Sequence, residues 1–462
     1  MSSCANTAVL HEVMATGLQD ATLTSATLEE AVLTFWRFVY LKHTSFAIQP
    51  VTFNHQGGTV AFGQPNVQFM FPRQCDLSWA TFAKVTIPGI CGLDTSSGHV
   101  VLSGSNQEPY WTNAIGQFIL KTTTFCVGST EVDKLHNYQL FFWEELSGKP
   151  GKRLSEMIGK FDTIQMRQSQ SRRSRTLYVP LPFYFTENTG LALPVVSLQF
   201  HQVTLNCALE SRANCVVKPA GFPTTNADIY VRPDGLTNAE IEAATQPPLL
   251  TNQDLNVEIE TFGVYLDQDE RSKFAHGQFE QSITSTQYQQ KTISETVTSA
   301  TETTSPKMVS ERIIFNHVVT EFFVAVRRQE AERSNDWFNF GGYDDPVSNS
   351  ILDPIKDMNI KFNNNTRVGT RPAQFFRLVV PWLVHTNVPR EFIYNWSFAI
   401  EPEDAQPTGG ANLSRIDNVH INLNVDKRIF LGGSDSATVL YSARNKNLLR
   451  FKYGLLTLRF GS

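Results

Sequence analysis

Leu177-Tyr-Val-Pro-Leu-Pro-Phe-Tyr-Phe185 is followed closely by Gly190-Leu-Ala-Leu-Pro-Val-Val-Ser-Leu-Gln-Phe-His-Gln-Val203. Pro180, Pro182 and Pro194 each remove a backbone donor and fix φ, so the stretch reads as short extended pieces unlike any helix. Across 198–207 the apolar phase slips by one between Phe200 and Val203, which predicts a strand carrying a β-bulge. Outward from here the dominant period is two. Val419, Ile421, Leu423 and Val425 alternate with His420, Asn422 and Asn424, and Leu449, Phe451 and Tyr453 with Arg450 and Lys452. Leu255, Val257 and Ile259 alternate in the same way with Asn256, Glu258 and Glu260. Many such half-buried strands, punctuated by Pro, Gly and Asn, predict β-sandwiches.

Four stretches depart from that pattern. Thr27 and Glu30 form a capping box ahead of Leu28, Ala31, Val32, Phe35 and Val39, predicting an amphipathic helix over 27–40 that packs on its own domain or anchors to a partner or membrane. Residues 208–253 carry Pro219, Pro223, Pro233, Pro247 and Pro248 and a short helix capped by Thr237 and Glu240, and read as a long excursion. The Ser/Thr/Gln-rich stretch 282–306 is too polar to bury fully but β-branched enough to extend. Residues 267–271, Asp-Gln-Asp-Glu-Arg, read as a solvated turn between domains.

Composition narrows the class. Charged residues make up 18% of the 462, against roughly 25% in an ordinary soluble domain. Phe outnumbers Gly, 33 to 27, which excludes disorder, collagen and coiled coil. A net charge of −5 leaves no overall cationic excess for phosphates, so direct nucleic-acid binding by the whole chain is not expected. Met1-Ser-Ser-Cys does not open a secretory leader, and the uncharged run 188–209 is too rich in Pro, Gln, His and Asn to span a bilayer. The cysteines, Cys4, Cys75, Cys91, Cys126, Cys207 and Cys215, lack Cys-x-x-Cys spacing and read as buried free thiols.

The motifs of common chemistries are missing: no His-Glu-x-x-His, Gly-x-Ser-x-Gly, Gly-x-Gly-x-x-Gly or phosphate loop occurs, and 147–152 is a surface turn. The histidines are scattered, and His201 and His317, beside apolar strand residues, read as structural. Arg172, Arg173 and Arg175 read as a solvated loop, with an acidic partner as the alternative. Glu29-Glu30, Glu144-Glu145 and Asp344-Asp345 are neighbours in sequence, which on a strand sends the two carboxylates to opposite faces and makes poor acid/base pairs. Asn364, Asn395 and Asn412 head glycosylation triplets that stay unmodified without a secretory route. No catalytic residue, metal ligand or cofactor is expected.

The stretch 177–203 closely resembles a signature of the major capsid proteins of nucleocytoplasmic large DNA viruses. Cys75-Asp76-Leu77 through Pro88 resembles that family's early strand, with Cys75 in place of its usual Gly. Tyr110-Trp-Thr-Asn113, Ile119-Leu-Lys121 and Asn137-Tyr138 leading to Phe142-Trp143 look most like the iridovirus branch. Val264 to Arg271, with Asp267, Glu270 and Arg271, resembles the link between the family's two rolls. Phe315-Asn316-His317 with Glu321-Phe-Phe323 resembles an early strand of the second. Pro407-Thr-Gly409-Gly-Ala-Asn-Leu-Ser414-Arg415-Ile-Asp417-Asn418 resembles a late motif, with Leu413 where the family has Phe.

The resemblance implies an all-β fold of two tandem eight-stranded antiparallel jelly rolls, with a short N-terminal helix and long outward loops. It places an N-terminal arm at 1–45, the first roll at 46–270 with the loop 208–253, and the second roll at 277–462. It implies a structural subunit rather than an enzyme: a homotrimeric, pseudo-hexagonal capsomer tiling an icosahedral shell assembled in the host cytoplasm. Its partners would be neighbouring capsomers, minor capsid proteins and, through the N-terminal arm, an internal viral membrane. The loop 208–253, joining strands seven and eight, is expected outward, at the end that holds the connections two to three, four to five and six to seven; 282–306 is expected to join the outer end of the second roll. Two other readings remain. A double-sandwich amidase would show acids and aromatics converging between the lobes, and a glycan-binding module would use Trp337, Phe338 and Tyr343 as stacking platforms.

Overall fold

The computed structural model describes residues 17–18, 42–94, 99–100, 107–149, 151–152, 154–220, 222, 227–243, 247–297, 305–342, 344–345, 350–431 and 435–461. The helix expected over 27–40 lies outside them, as do Cys4 and Tyr343.

Before the charged stretch at 267, eight of the strands among the described residues build the main sheets: β1 (Phe46–Phe53), β2 (Val67–Met70), β3 (Leu77–Ile87), β4 (Leu120–Val127), β5 (Thr130–His136), β6 (Arg175–Pro180), β7 (Val203–Leu209) and β8 (Asn256–Leu266). They form two antiparallel sheets in the orders β1-β8-β3-β6 and β2-β7-β4-β5. After it, eight build the corresponding pair of sheets: β9 (Phe279–Ser294), β10 (Lys307–Ile313), β11 (Val318–Arg328), β12 (Ile355–Phe362), β13 (Asn365–Pro372), β14 (Ile393–Ser397), β15 (Val419–Val425) and β16 (Ser436–Lys452). Their sheets, β9-β16-β11-β14 and β10-β15-β12-β13, repeat the same order. Order 1-8-3-6 facing order 2-7-4-5 is the jelly roll, and the chain contains it twice.

Alternation builds the cores. On β3, Ala83, Val85 and Ile87 face inward, and on β15 Val419, Ile421, Leu423 and Val425 do so, while the residues between them are half-buried. The stretch 282–306 does supply a long strand: β9 pairs with β16 in unbroken register from Phe279↔Phe451 to Ser294↔Ser436. Sixteen consecutive pairings along one backbone edge hold a polar sequence that offers little apolar area.

Four expectations change. Residues 267–271 do not form a turn. Asp267 is the N-cap of a helix, α2 (Gln268–His276; α1 is introduced below), its carboxylate accepting from Gln268 N at 2.8 Å, with Asp269 and Glu270 in the first turn and Lys273 and His276 in the last. The expected bulged strand over 198–207 is only β7, from Val203; a 3₁₀ turn, Val195–Ser197, and an irregular segment precede it, leaving Phe200 exposed. The signature is not wholly extended either, since Tyr184–Glu187 forms one helical turn after Pro182.

The fourth change concerns the excursion 208–253. Its strand Ala227–Arg232 pairs with Gly89–Asp94 and its Val216–Val217 with Tyr110–Trp111, both from the connection between strands three and four. Phe62 N and Gly63 N, between strands one and two, donate to Asn252 O and Glu210 O, and Ser174 N, between five and six, to Asp234 Oδ1. The excursion therefore shares its end with connections one to two, three to four and five to six. Strands alternate in direction, so only connections of that parity meet there. Thr237 caps the short helix Asn238–Ala243 as expected.

Candidate functional site at the seam between the rolls

From Glu321 on, past a register shift after Val319, odd-numbered residues of β11 face away from the second roll's own core. Phe323 and Ala325, with Ile393 and Leu440 beside them, join the first roll's apolar cluster, whereas Phe322, Val324, Tyr394, Val439 and Tyr441 join the second roll's. This sheet is buried on both faces because α1 (Asn137–Ser147), which directly follows the fifth strand, lies on it. Gln139 accepts from His136 N and donates to Ser442 Oγ at 2.9 Å and Gln287 O at 3.1 Å; Phe142 meets Phe323 with centroids 6.1 Å apart. Buried Asp133 accepts from Thr286 N and Oγ1 across the seam, and burial pushes its carboxyl up to about 7 against those bonds.

One end of the seam is ionic. Arg444 of β16 donates to both carboxylate oxygens of Glu187, at 2.9 and 3.0 Å, and lies 3.8 Å from Glu321 Oε1. Glu321 is fully buried; its Oε2 accepts from Asn395 Nδ2 at 3.1 Å and lies 2.9 Å from His385 Nε2, while His385 Nδ1 lies 2.9 Å from Glu403. Burial alone would lower the His385 pKa, but the adjacent Glu321 carboxylate and the bond to Glu403 raise it to about 9. Burial alone would raise Glu403, but bonds from His385 and Thr386 bring it down to about 2. The adjoining cavity, lined by Phe142, Glu187, Phe323 and Arg444, holds about 30 Å³, the space of one water. Acids and aromatics do converge between the lobes, as in the amidase reading, but each carboxylate here is held by Arg444, His385 or Asn395. The arrangement fastens the two rolls together.

The motif residues sit in backbone latches. Arg271 Nε lies 3.0 Å from Asp76 Oδ1, and Asp76 Oδ2 accepts from Leu266 N, so the Cys75-Asp76 motif grips the start of α2. Glu270 is half-buried in its first turn. Pro180 ends β6 opposite Phe82, Asn188 accepts from Gly190 N, and Pro194 is buried before the 3₁₀ turn; Pro182 is half-buried. In the second roll, Asn316 N donates to Gln287, His317 adopts φ 65° and donates its N–H to Ser414 Oγ, Arg312 donates to Asp417 O, and Asn418 exchanges bonds with Asn363. Gly409 has φ 143°, and a Cβ there would lie 3.0 Å from Phe398 O. Pro407 and Arg415 are exposed.

Several sequence readings are corrected. Asn395 is buried against Glu321 and Phe322 O, so no glycan fits there, whereas Asn364 and Asn412 are exposed. Trp337 stacks on Phe118 and Phe338 on Phe141, filling the body rather than offering platforms. Glu144 and Glu145 lie on a helix, not a strand, and both reach Lys160. Arg172 is not free in a loop; it donates to buried Glu108. His201 accepts from Leu456 N, but the decisive histidine is His385, which the sequence left among the scattered ones. Among the described residues the cysteines are unpaired, and all but half-buried Cys126 are buried.

Comparison with known proteins adds identity. A family model described as major capsid protein N-terminus matches residues 34–243, and one described as large eukaryotic DNA virus major capsid protein matches 270–457. A major capsid protein of Pyramimonas orientalis virus is 25% identical, the match covering 98% of this chain and 99% of that one. That of Invertebrate iridescent virus 3 is 24% identical over 92% and 91%. In fold, a chain of the PBCV-1 virus capsid superposes with TM-score 0.69 at 22% identity, covering 93% of this chain and all of that one; the Faustovirus major capsid protein gives 0.61 at 12%, covering 96% of each. The two matched models meet the two rolls in chain order, and this chain belongs to the major capsid protein family of large eukaryotic DNA viruses.

Proposed function

We propose that the chain forms homotrimeric capsomers of pseudo-hexagonal outline that tile an icosahedral shell assembled in the host cytoplasm. The observation that carries this is the repetition of one roll twice in a rigidly sealed chain: three copies present six similar lobes, so one subunit tiles a near-hexagonal lattice. On this reading the rolls are residues 46–270 and 277–462, joined through α2, and the arm 1–45 meets an internal membrane or minor capsid proteins. Electron micrographs of the purified protein should show threefold particles of nearly hexagonal outline, and sizing should give three chains. A persistent monomer at high concentration contradicts the proposal.

The excursion 208–253 and the connections that pair with it form the outward end. The second roll contributes there too, since Asn335 donates to Ala213 O and Val216 O and Trp337 to Asn214 O. Antibodies raised against 208–253 should bind intact particles; binding only after disruption would reverse the orientation.

A further inference from the structure

A cleft of about 350 Å³ lies where the excursion of the first roll meets the connection between strands three and four of the second. That is a size at which small ligands are held. Its floor is apolar and comes from the first roll: Val216 and Leu250 are buried, Ile229 is half-buried, and Leu249 is 48% exposed. Backbone pairing fixes them, Val216 with Trp111, Ile229 with Gly92 and Leu249 with Tyr230, while Leu250 N donates to Ile229 O at 3.0 Å. The second roll supplies Asn335, at φ 55°, whose Nδ2 donates to Ala213 O and Val216 O at 2.8 Å each. A cleft whose walls are tied across two rolls is shaped before any ligand arrives, so little ordering cost falls on binding.

The charges lining it are of mainly one sign. Arg212, Lys218 and Arg333 stand with Asp228, three cations to one acid, in a chain whose net charge is −5. Arg212 donates to Leu250 O, which commits one of the five N–H donors of its guanidinium. Lys218 Nζ lies 5.3 Å from the centre of the Phe222 ring. A concave site with an apolar floor and an excess of cations focuses its field on an anion. Asp228 narrows the class of anion. A carboxylate among the cations opposes a phosphate cluster or a nucleic-acid backbone, but it accepts hydrogen bonds from neutral hydroxyls. Ser334 Oγ, which donates to Ala331 O, can accept one more. Apolar floor, cationic excess and hydroxyl acceptors together suit a sugar ring that carries a single carboxylate or sulfate.

We propose that this cleft binds an acidic sugar on the surface the particle meets. The anionic group lies among Arg212, Lys218 and Arg333, the less polar face of the ring on Val216, Ile229 and Leu250, and the hydroxyls toward Asp228 and Ser334. That the cleft meets such a surface rests on the outward reading of the excursion; the site itself does not. Trp337 and Phe338 are used in filling the body, so the sugar is held by charge and an aliphatic floor instead of stacking. One such site binds weakly, on the order of millimolar, and a shell that repeats it gains avidity.

Saturation-transfer NMR on the purified full chain tests this, with sialyllactose as the carboxylate probe, a sulfated heparin disaccharide as the sulfate probe and lactose as the neutral control. At least one acidic probe should bind with a dissociation constant of about 1 mM, and lactose at least about 10-fold more weakly. Which acidic probe binds identifies the anionic group. Lys218→Glu and Arg333→Glu, one from each roll, should each weaken that binding at least about 10-fold. Leu249→Trp, which fills the cleft without changing its charge, should do the same, and circular dichroism checks that each variant folds. Lactose binding as tightly as the acidic probes, no acidic probe binding up to about 10 mM, or unchanged affinity in any folded variant overturns the site. Intact particles should bind the same probe; binding by the free chain but not by particles keeps the site and overturns the outward reading.

Discussion

Replacing Arg444 with alanine should destabilise the folded chain by about 3–5 kcal/mol, the cost of stranding buried carboxylates. The Arg444 side chain is only 10% exposed and is the cation that holds Glu187, one roll away, and it lies beside the fully buried Glu321. Glu321 keeps His385 in the variant, so the larger loss falls on Glu187. Because Glu187 comes from the first roll and Arg444 from the second, the damage should fall on the seam rather than on either core. The measurement is the denaturant midpoint, or the unfolding rate if a chain of this size does not refold. A companion variant, Arg444→Met with Glu187→Leu, removes the cation and its cross-seam carboxylate together while Glu321 keeps His385, and should recover much of the loss, since an apolar replacement of a buried ion pair is often neutral. A loss below about 1 kcal/mol for Arg444→Ala would show that water reaches the cluster and screens it.

Raising the pH from 6.5 through about 9 should weaken the fold by about 3 kcal/mol through His385 alone. The sign follows from the direction of the shift. The folded His385 pKa lies above the ordinary 6.5, so the folded chain holds a proton that the unfolded chain has released, and the stabilisation is full below 6.5 and lost as pH climbs through about 9. Glu403 works in the opposite direction: its folded value of about 2 stabilises above 4.5, and that part fades as pH falls toward 2. Asp133 acts at lower pH: a carboxyl raised to about 7 by burial contributes fully below its ordinary 3.8, and that contribution is lost as pH rises from there to about 7. His385→Gln should flatten the stability profile between pH 6.5 and 9 and leave the Asp133 slope in place. An unchanged profile above pH 7 in that variant would remove His385 as its cause.

Much of the architecture was legible locally. The alternation over 419–425 and 255–260, the prolines at 180, 182 and 194 and the cap at Thr237 each depend on neighbours within a few residues, and each is where the sequence placed it. The failures were also local: 198–202 looks like strand because Leu198 and Phe200 alternate, yet Phe200 N binds Gly454 O in another part of the chain. The acidic run after Asp267 has the composition of a turn, yet Asp267 is an N-cap and the charges follow the helix dipole.

The seam was not legible. Glu321, Asn395 and His385 have the polarity of surface residues, and only the arrival of α1, Glu187 and Arg444 from distant positions covers and pairs them. The same physics works in reverse at Trp382, which has the polarity of a core residue and is 73% exposed. Sequence by itself determined the strands, the family and the two-roll plan, since period, punctuation and motif are properties of neighbouring residues. Which face of each sheet is covered and which charges are buried were decided by tertiary structure alone, because burial belongs to whatever packs on a residue and not to the residue.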